Sequence, residues 1–549
     1  MLLRKVVAAD GSELATDVYL PDGPGAFPVL LTRTPYHRSG LATRAQIFTG
    51  WGYAHVIQDA RGKYDSTGTF RPLQDEAADG AATLDWIANQ SWCNGRIGMI
   101  GDSYLGMVQI PAASCGHPAL RCIVPGVAPN SFFTDWLRYD GCFALANAVR
   151  WSMTHAVCPT VPADEHFTWS ELWAQPTLDD VFRRAGCQCP ALREWVEHDR
   201  YDEYWRQVDQ RRMYSQVKVP GFHTAGWFDH ILRGQFQAYQ GIRDEAAGEA
   251  ARAHQRLLVG PWGHLTIGKQ QYGEWDFGAE AVMNVNGYKR RFVDLWMKDI
   301  DDGISQEPPV RLFVMGVNRW ISFRDWPPEG RLEAWHLRSD GAALGVGGGG
   351  RLSRESAEAD PPDRYRYDPA DPVPTLGGPL YWGMSDVAAL GPADQRPILD
   401  RPDVLYYRSE RLERPLAVIG EVNLDLWIAS DAADSDFVAK LCVVEPAGRV
   451  ICLAIGSLRC RYRNGWDRCQ PLVKDQPEAI RVQMGSLAYV FGEGSRLALI
   501  VTSSSYPRIL PHPNTMAPTW QERSPRPAGQ SVLHDRRHAS RLLLPVVDL

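Results

Sequence analysis

The 549-residue sequence lacks several features that define whole classes of protein. No stretch approaches 18 consecutive apolar residues, so we expect no membrane-spanning helix and no membrane partner. Positive charge is not in excess: 58 Lys and Arg against 65 Asp and Glu give a net charge of −7, which disfavours nucleic acid as a partner. No Rossmann or Walker pattern occurs, because Gly347–Gly350 neither follows a buried strand nor opens a helix. We therefore expect no cofactor.

Cysteine is sparse and shows no ligand pattern. Eleven cysteines are scattered from Cys93 to Cys469, and the close pair Cys187 and Cys189 has no second pair to complete a zinc-type set. An acidic cluster at residues 299–302 matches no known metal-ligand spacing either. We predict free, buried thiols, no metal, and a location in the cytoplasm.

The first third of the chain alternates strands with helices. After a β-hairpin predicted to turn at Asp10 and Gly11, Phe27–Arg33 and Arg96–Ile100 are short apolar runs typical of buried strands. Asp75–Asn89 between them has the apolar spacing of a helix. This order predicts a mostly parallel sheet covered by helices on both faces.

Two changes of pattern divide the rest of the chain. Residues 131–216 lose the alternation and carry six tryptophans, which predicts a helical cap inserted between two halves of the first domain, at residues 1–130 and 217–327. A second helical layer without substrate contact is the alternative. Residues 328–549 contain short strands separated by turns, with clean alternation in Val422–Ile428, which is typical of an antiparallel sandwich or jelly roll.

Aromatic residues are abundant: 20 Trp, 20 Tyr and 17 Phe. They indicate either a large aromatic core or an aromatic-lined pocket for an apolar ligand, and composition alone does not separate the two.

The strongest local signal is Arg96–Gln109, in which an apparent strand leads directly into a helix. Ser103 lies at the junction, where nearby glycines allow a sharp turn and the helix start directs backbone N–H groups at an oxyanion. The pattern departs from G-x-S-x-G, because Leu105 occupies the place of the second glycine and Gly106 follows it. The alternative is an ordinary serine at a helix start.

A nucleophilic serine requires a base and an acid, in the chain order Ser, Asp, His for this type of sheet. Asp229 and His264 each follow directly after a predicted strand in that order, so they are the predicted acid and base for Ser103. His223 and His230 precede or adjoin the acid, and we interpret each as a packing or pocket-lining residue.

With these residues in place, the chain resembles the CocE/NonD family of serine hydrolases, which comprises cocaine esterase, α-amino acid ester hydrolases, cephalosporin acylases and X-Pro dipeptidyl-peptidases. The resemblance extends over essentially the whole length. It rests on phrases in one order: Arg33–Tyr36, Gln58–Gly62, Trp92–Gly95, Gly101–Gly106, Ala225–Asp229, Val259–His264, Arg311–Gly316, Tyr367–Gly378, Gly391–Pro397 and Ser503–Ser505. It implies an α/β fold: an α/β-hydrolase core with an inserted helical cap and a C-terminal β jelly roll.

The resemblance also implies site residues. The triad falls on Ser103, Asp229 and His264, and the oxyanion hole on the Tyr36 hydroxyl and the backbone N–H of Tyr104. The implied substrate pocket comprises Trp136, Trp151, His230, Ile231, Tyr381 and Trp382. Asp102 departs from many relatives; because its charge would oppose an oxyanion, we expect it to point away from the site.

The function implied is hydrolysis of a carboxylic ester of a small molecule through an acyl-enzyme. The alternative is an amide-bond hydrolase, either a cephalosporin-type acylase or an X-Pro dipeptidyl-peptidase, because ester and amide cleavage use the same groups. A non-catalytic binding protein on a hydrolase scaffold is a third hypothesis. The expected partner is a small-molecule ester or amide, with a homo-oligomer possible.

Overall fold

The structure is a computed structural model that describes residues 1–153, 168–175, 177–186, 190–380 and 388–549. Within these ranges the backbone forms two large sheets. The first uses strands up to Phe323 and the second begins at Arg331.

The first sheet has ten strands in the described residues. In chain order they are β1 to β10: Leu2–Val7, Glu13–Tyr19, Phe27–Thr34, Ala54–Asp59, Cys93–Asp102, Leu120–Gly126, Gly221–Gly226, Gln255–Gly260, Val310–Val314 and Arg319–Phe323. Their order across the sheet is 1-2-4-3-5-6-7-8-9-10. Strands β3 to β9 pair in parallel, whereas the predicted hairpin β1–β2, the β2–β4 pair and the β9–β10 pair are antiparallel.

Helices cover both faces of this sheet, as predicted. The α-helices of the described ranges are α1 to α13: Ala42–Gly50, Glu76–Ala88, Tyr104–Met107, Gln109–Ser114, Leu145–Trp151, Trp169–Trp173, Leu178–Arg184, Pro190–Glu197, Glu203–Arg206, Leu232–Glu245, Glu249–Ala253, Val285–Lys298 and Arg396–Leu399. Successive residues of β3 belong to different cores because side chains alternate along a strand. Leu31 packs in the core that contains Leu84 of α2, and Leu30 in the core that contains Phe292 of α12.

The chain between β6 and β7 is helical and aromatic. It contains α5 to α9, a π-helical turn at Phe132–Leu137 and a short hairpin of Arg138–Tyr139 with Cys142–Phe143. Its aromatic side chains are largely buried in the same core as β3 and α2. The fold therefore has the inserted helical segment that the sequence predicts, while the numerical boundaries given above stay a prediction.

The second sheet contains eleven strands among the described residues and is antiparallel apart from one short contact between Arg351 and Arg408. The strands are Arg331–Arg338, Arg351–Ser353, Asp363–Tyr367, Leu405–Arg408, Leu416–Ser430, Asp436–Val444, Val450–Arg459, Glu478–Phe491, Arg496–Thr502, Ala528–Leu533 and Arg541–Val546. The predicted alternation in Val422–Ile428 is confirmed, since Val422, Leu424, Leu426 and Ile428 are all buried. The C-terminal part is an all-β domain.

The remaining short elements connect these layers. A second small hairpin pairs Gln271–Tyr272 with Trp275–Asp276. The 3-10 turns are Arg38–Leu41, Gln210–Gln216, Ala279–Ala281, Ile304–Gln306 and Cys460–Tyr462. No helix in the described part of the chain combines the length and apolar character needed to cross a bilayer.

The cysteines with a described position are free thiols, and their burial is less uniform than predicted. Five of these eight are buried, whereas Cys115 is exposed and Cys93 and Cys469 are half-buried. Cys187 and Cys189 lie outside the described residues.

Candidate active site

Ser103 occupies a sharp turn between β5 and α3. β5 ends at Asp102 and α3 begins at Tyr104, so a single residue separates strand from helix. Ser103 has φ +61° and ψ −128°, a conformation that non-glycine residues adopt rarely and at a free-energy cost. Its N–H donates to Gly126 O at 2.8 Å, which fixes the turn against the neighbouring strand.

At two positions near Ser103, neighbouring atoms lie so close that only glycine fits. A Cβ on Gly101 would lie 2.4 Å from the Cβ of Leu105, and a Cβ on Gly106 would lie 2.9 Å from the Cβ of Ala128. Gly106 allows close contact with the loop after β6. This is the role expected of the second glycine in G-x-S-x-G, although Gly106 lies one position later.

The predicted acid and base follow β7 and β8 and meet Ser103. His264 Nε2 lies 3.0 Å from Ser103 Oγ. His264 Nδ1 lies 3.0 and 3.2 Å from the two carboxylate oxygens of Asp229. Both Asp229 and His264 are buried. The three side chains thus form a continuous hydrogen-bonded line, which is the geometry of a serine nucleophile with its base and acid.

The Asp229 carboxylate contacts two histidines. His230 Nδ1 lies 3.1 Å from Asp229 Oδ1, and the N–H of Ile231 donates to the same oxygen at 3.2 Å. Although burial by itself raises the pKa of Asp229, the nearby His264 and His230 hold it well below its ordinary value. Burial lowers the pKa of His230, so this imidazole is neutral at neutral pH. The Asp229 carboxylate is therefore charged, with His264 and His230 both in contact with it.

The Tyr36 hydroxyl lies beside the nucleophile. It contacts the Ser103 side chain and the backbone N–H of Tyr104, and it accepts a hydrogen bond from the indole Nε1 of Trp151 at 3.1 Å. Burial raises the pKa of Tyr36, and these three contacts partly offset that effect. A neutral phenol at this position has a proton to donate to an oxygen bound at Ser103.

The ring of Tyr104 points away from the serine and is anchored by polar contacts. Its hydroxyl donates to Glu76 Oε1 at 2.8 Å and accepts from the N–H of Leu73 at 3.2 Å. Glu76 is in turn bound by the buried Arg33. The Tyr104 side chain is thus held by Glu76 and Leu73, while its backbone N–H, the group assigned to the predicted oxyanion hole, contacts the Tyr36 hydroxyl.

Asp102 is turned toward cations. Its Oδ1 lies 2.6 Å from Lys289 Nζ, and its Oδ2 lies 3.7 Å from an Arg44 nitrogen. Although burial would raise the pKa of Asp102, the charges of Lys289 and Arg44 hold it below its ordinary value. The Asp102 carboxylate therefore faces Lys289 of α12, whose positive charge offsets its own.

The predicted pocket residues are placed differently from one another. Trp151 contacts the site through Tyr36, and Trp136 packs edge-on against Trp151 with ring centroids 4.9 Å apart. His230 and Ile231 contact the Asp229 carboxylate, as described above. The predicted pocket residues Tyr381 and Trp382 lie outside the described residues.

Potential metal ligands near the site are used in other contacts. Donor atoms of Asp229, His230 and His264 lie within 4.8 Å of one another, a set that could in principle hold a metal ion. Here His264 hydrogen-bonds the carboxylate and His230 Nδ1 lies 3.1 Å from it, and the absence of a metal stays a prediction. In the acidic cluster, Asp299 pairs with Arg96 and Asp302 with Arg291.

Sequence reasoning missed three contacts of the site. They are the Trp151–Tyr36 hydrogen bond, the Lys289–Asp102 ion pair and the His230–Asp229 contact. The first two join residues 115 and 187 positions apart, and no local pattern signals such pairs. The third had a signal, since His230 adjoins the acid.

The chain is similar to known proteins over nearly its whole length. The model of the X-Pro dipeptidyl-peptidase (S15 family) matches residues 10–266, and that of the X-Pro dipeptidyl-peptidase C-terminal non-catalytic domain matches residues 302–543. Cocaine esterase from Rhodococcus sp. (strain MB1 Bresler) is 34% identical over 566 residues, covering 98% of this chain and 97% of that protein.

Solved structures also match the fold over the whole chain. An aminopeptidase from a marine sediment archaeon (Thaumarchaeota archaeon) superposes with a TM-score of 0.86 at 25% identity, covering 100% of this chain and 96% of that one. An α-amino acid ester hydrolase superposes with a TM-score of 0.84 at 26% identity, with the same coverage. Fold and relatives together define a serine hydrolase, so the binding-protein hypothesis loses its support. The chain belongs to the CocE/NonD family, which also holds the X-Pro dipeptidyl-peptidases.

Proposed function

We propose that the protein hydrolyses a carboxylic ester of a small molecule through an acyl-enzyme formed on Ser103. The observation that carries this proposal is the line of contacts from Ser103 Oγ to His264 Nε2 at 3.0 Å and from His264 Nδ1 to Asp229 at 3.0 Å. A serine hydroxyl is a weak nucleophile by itself, and an adjacent imidazole in this position makes it reactive.

The proposed reaction has two halves. His264 takes the Ser103 proton as the oxygen attacks the ester carbonyl, and Asp229 stabilises the imidazolium that forms. The Tyr36 O–H and the Tyr104 N–H donate to the oxyanion of the tetrahedral intermediate. Its collapse breaks the bond to the alcohol, which leaves with the proton from His264. Water activated by His264 then attacks the acyl group and releases the acid.

Similarity over the whole chain supports the ester. Cocaine esterase aligns with 98% of the chain at 34% identity, whereas an Xaa-Pro dipeptidyl-peptidase from Lactobacillus helveticus aligns with 32% of it at 27% identity. An alcohol is also an easier leaving group than an amine, so the ester makes the smaller demand on the site.

An amide-bond hydrolase is the second candidate. Both matching family models describe X-Pro dipeptidyl-peptidase domains, and an aminopeptidase shares the fold at 25% identity. The peptide bond after an X-Pro pair is therefore the amide to test first, followed by N-acyl groups of the cephalosporin-acylase type.

The deciding experiment is a panel of p-nitrophenyl esters, N-acyl amides and X-Pro anilides. It is run on the wild type, on Ser103→Ala and on Ser114→Ala, whose hydroxyl donates to Pro111 O outside the site. We expect ester cleavage that Ser103→Ala abolishes and Ser114→Ala retains, with an acyl adduct on Ser103 in the intact mass. Preference for X-Pro anilides would select the second candidate, and full activity of Ser103→Ala would disprove the nucleophile.

A further inference from the structure

A hydrogen bond joins the helical segment between β6 and β7 to the proposed oxyanion hole. Trp151 is the last residue of α5, and Tyr36 follows β3 in the sheet domain. The indole Nε1 of Trp151 lies 3.1 Å from the Tyr36 hydroxyl. Indole N–H can only donate, so the Tyr36 oxygen accepts this bond and its own proton is directed elsewhere.

The other contacts of the Tyr36 hydroxyl determine where that proton points. Besides Trp151, the hydroxyl contacts the backbone N–H of Tyr104 and the side chain of Ser103. The Tyr104 N–H is a second donor and cannot accept. Of these three contacts, only the Ser103 oxygen, or a substrate oxygen in its place, can receive the phenol proton.

We propose that Trp151 is a positioning residue that orients the Tyr36 hydroxyl toward the oxyanion. By donating to the phenol oxygen, the indole fixes the rotation of the O–H bond and polarises it, because hydrogen bonds in a chain strengthen one another. The residue acts through Tyr36 and touches no reacting atom. This inference rests on the proposed function, since it assigns Tyr36 to the oxyanion hole.

Packing holds Trp151 in the required place. Its ring stacks on Tyr104 with an interplanar angle of 17°, and it meets Trp136 edge-on at 79° and Trp195 at 36°. Trp151 is 5% exposed, so the indole N–H is shielded from water. A donor with so little freedom loses little entropy when it orients its partner.

The test is a double-mutant cycle between Trp151 and Tyr36. Trp151→Phe keeps an aromatic ring and removes the N–H; we expect kcat to fall about tenfold, the effect of one lost hydrogen bond, with KM changed less than about twofold. Tyr36→Phe should lower kcat by about 10²–10³. In the Tyr36→Phe background, Trp151→Phe should change kcat less than about twofold, because the group it acts through is gone.

Two further variants separate this role from packing. Trp195→Phe alters a ring that contacts Trp151, and it should change kcat by the same factor in the wild-type and Tyr36→Phe backgrounds. Replacement of Trp151 by β-(3-benzothienyl)alanine, in which sulfur takes the place of the N–H, keeps the ring shape and should reproduce the loss of kcat seen in Trp151→Phe.

The outcomes distinguish this inference from the proposed function. The positioning role of Trp151 is wrong if the kcat loss of the double variant equals the product of the losses in Trp151→Phe and Tyr36→Phe. It is also wrong if the benzothienyl variant keeps full kcat. Either result leaves Ser103 as the nucleophile. If Ser103→Ala retains activity, the proposed function itself fails.

Discussion

Lys289 Nζ lies 2.6 Å from Asp102 Oδ1, which places a buried ammonium group one residue from the proposed nucleophile. Lys289 belongs to α12, packed against the face of β5 and β6, and is 4% exposed. The pair lets an acidic residue stand beside a forming oxyanion without a net negative charge there.

Lys289→Gln should therefore lower both activity and stability. The carboxylate of Asp102 would keep only the more distant Arg44, so we expect kcat to fall about tenfold and the free energy of unfolding to fall by about 1–2 kcal/mol, a value reduced because Asp102 is partly exposed. Steady-state kinetics and urea unfolding measure the two effects. Asp102→Asn with Lys289→Gln should recover most of the kcat.

The pH dependence of this pair has a defined sign. The pKa of Asp102 is lowered in the folded protein, so the pair stabilises the fold above the ordinary carboxyl pKa of 3.8 and is lost as pH falls through the folded value. The stability difference between wild type and Lys289→Gln should be constant from about pH 5 to 8. A difference that grows toward low pH would contradict the ion pair.

His230, which the family resemblance assigns to the substrate pocket, lies with its Nδ1 3.1 Å from Asp229 Oδ1. His230→Ala should lower kcat about tenfold with little change in KM, since the acid loses one of its two imidazole contacts. His230→Gln, which can still donate to the carboxylate, should retain more of the kcat. A change confined to KM would show that His230 acts on substrate binding instead.

Asp229→Asn tests the proposed acid partner of His264. The pKa of Asp229 is lowered by His264 and His230, so the carboxylate stays charged throughout the working pH range. Its replacement by a neutral amide should reduce kcat by about 10³–10⁴, as the loss of a triad acid does elsewhere. Steady-state kinetics on the ester measure this loss, and full kcat in Asp229→Asn would argue against Asp229 as the acid.

Buried histidine outside the site predicts acid sensitivity of the fold. Burial lowers the pKa of His223 from 6.5 to about 4, and its Nε2 lies 2.9 Å from Gln255 Oε1. Neutral His223 therefore favours the folded state fully above pH 6.5, and this contribution falls by about 3 kcal/mol as pH drops to 4. Urea midpoints should decline less steeply with acid in His223→Gln. If the urea midpoints of wild type and His223→Gln fall equally with acid, His223 is not the source of the acid sensitivity.

The local features of the site could be predicted because they depend on short-range chemistry. Ser103 was identified from glycines around a strand-to-helix junction, and Asp229 and His264 from their places after strands. Their meeting within 3.0 Å follows from the shared edge at which parallel strands end. The strand order confirms the parallel sheet that contains β5, β7 and β8.

One helix was predicted too long, for a local reason. The residue pattern from Tyr104 to Ala113 predicts one helix directly behind β5, whereas the structure breaks it at Val108 into α3 and α4. Pro111 has no N–H to donate to Met107 O, four residues earlier. The side chain of Gln210 donates to that carbonyl instead, at 2.7 Å.

The contacts that could not be predicted from the sequence depend on the orientation of side chains that pack between different layers of the fold. Tyr36 and Trp151 were both named from the sequence, but as parts of separate sites. Whether an indole edge or its face meets a hydroxyl is set by the packing of several surrounding rings, which no periodic pattern encodes.

Strands β6 and β7 are hydrogen-bonded neighbours although residues 127–220 lie between them in the chain. The pairing of β6 with β7 does not depend on the length of this segment, but its buried aromatic side chains belong to the core shared with β3 and α2. A segment transplanted from another family member must therefore fill this shared core as well. A graft should succeed when it brings an N–H donor to the position of Trp151, since the recipient's Tyr36 relies on one.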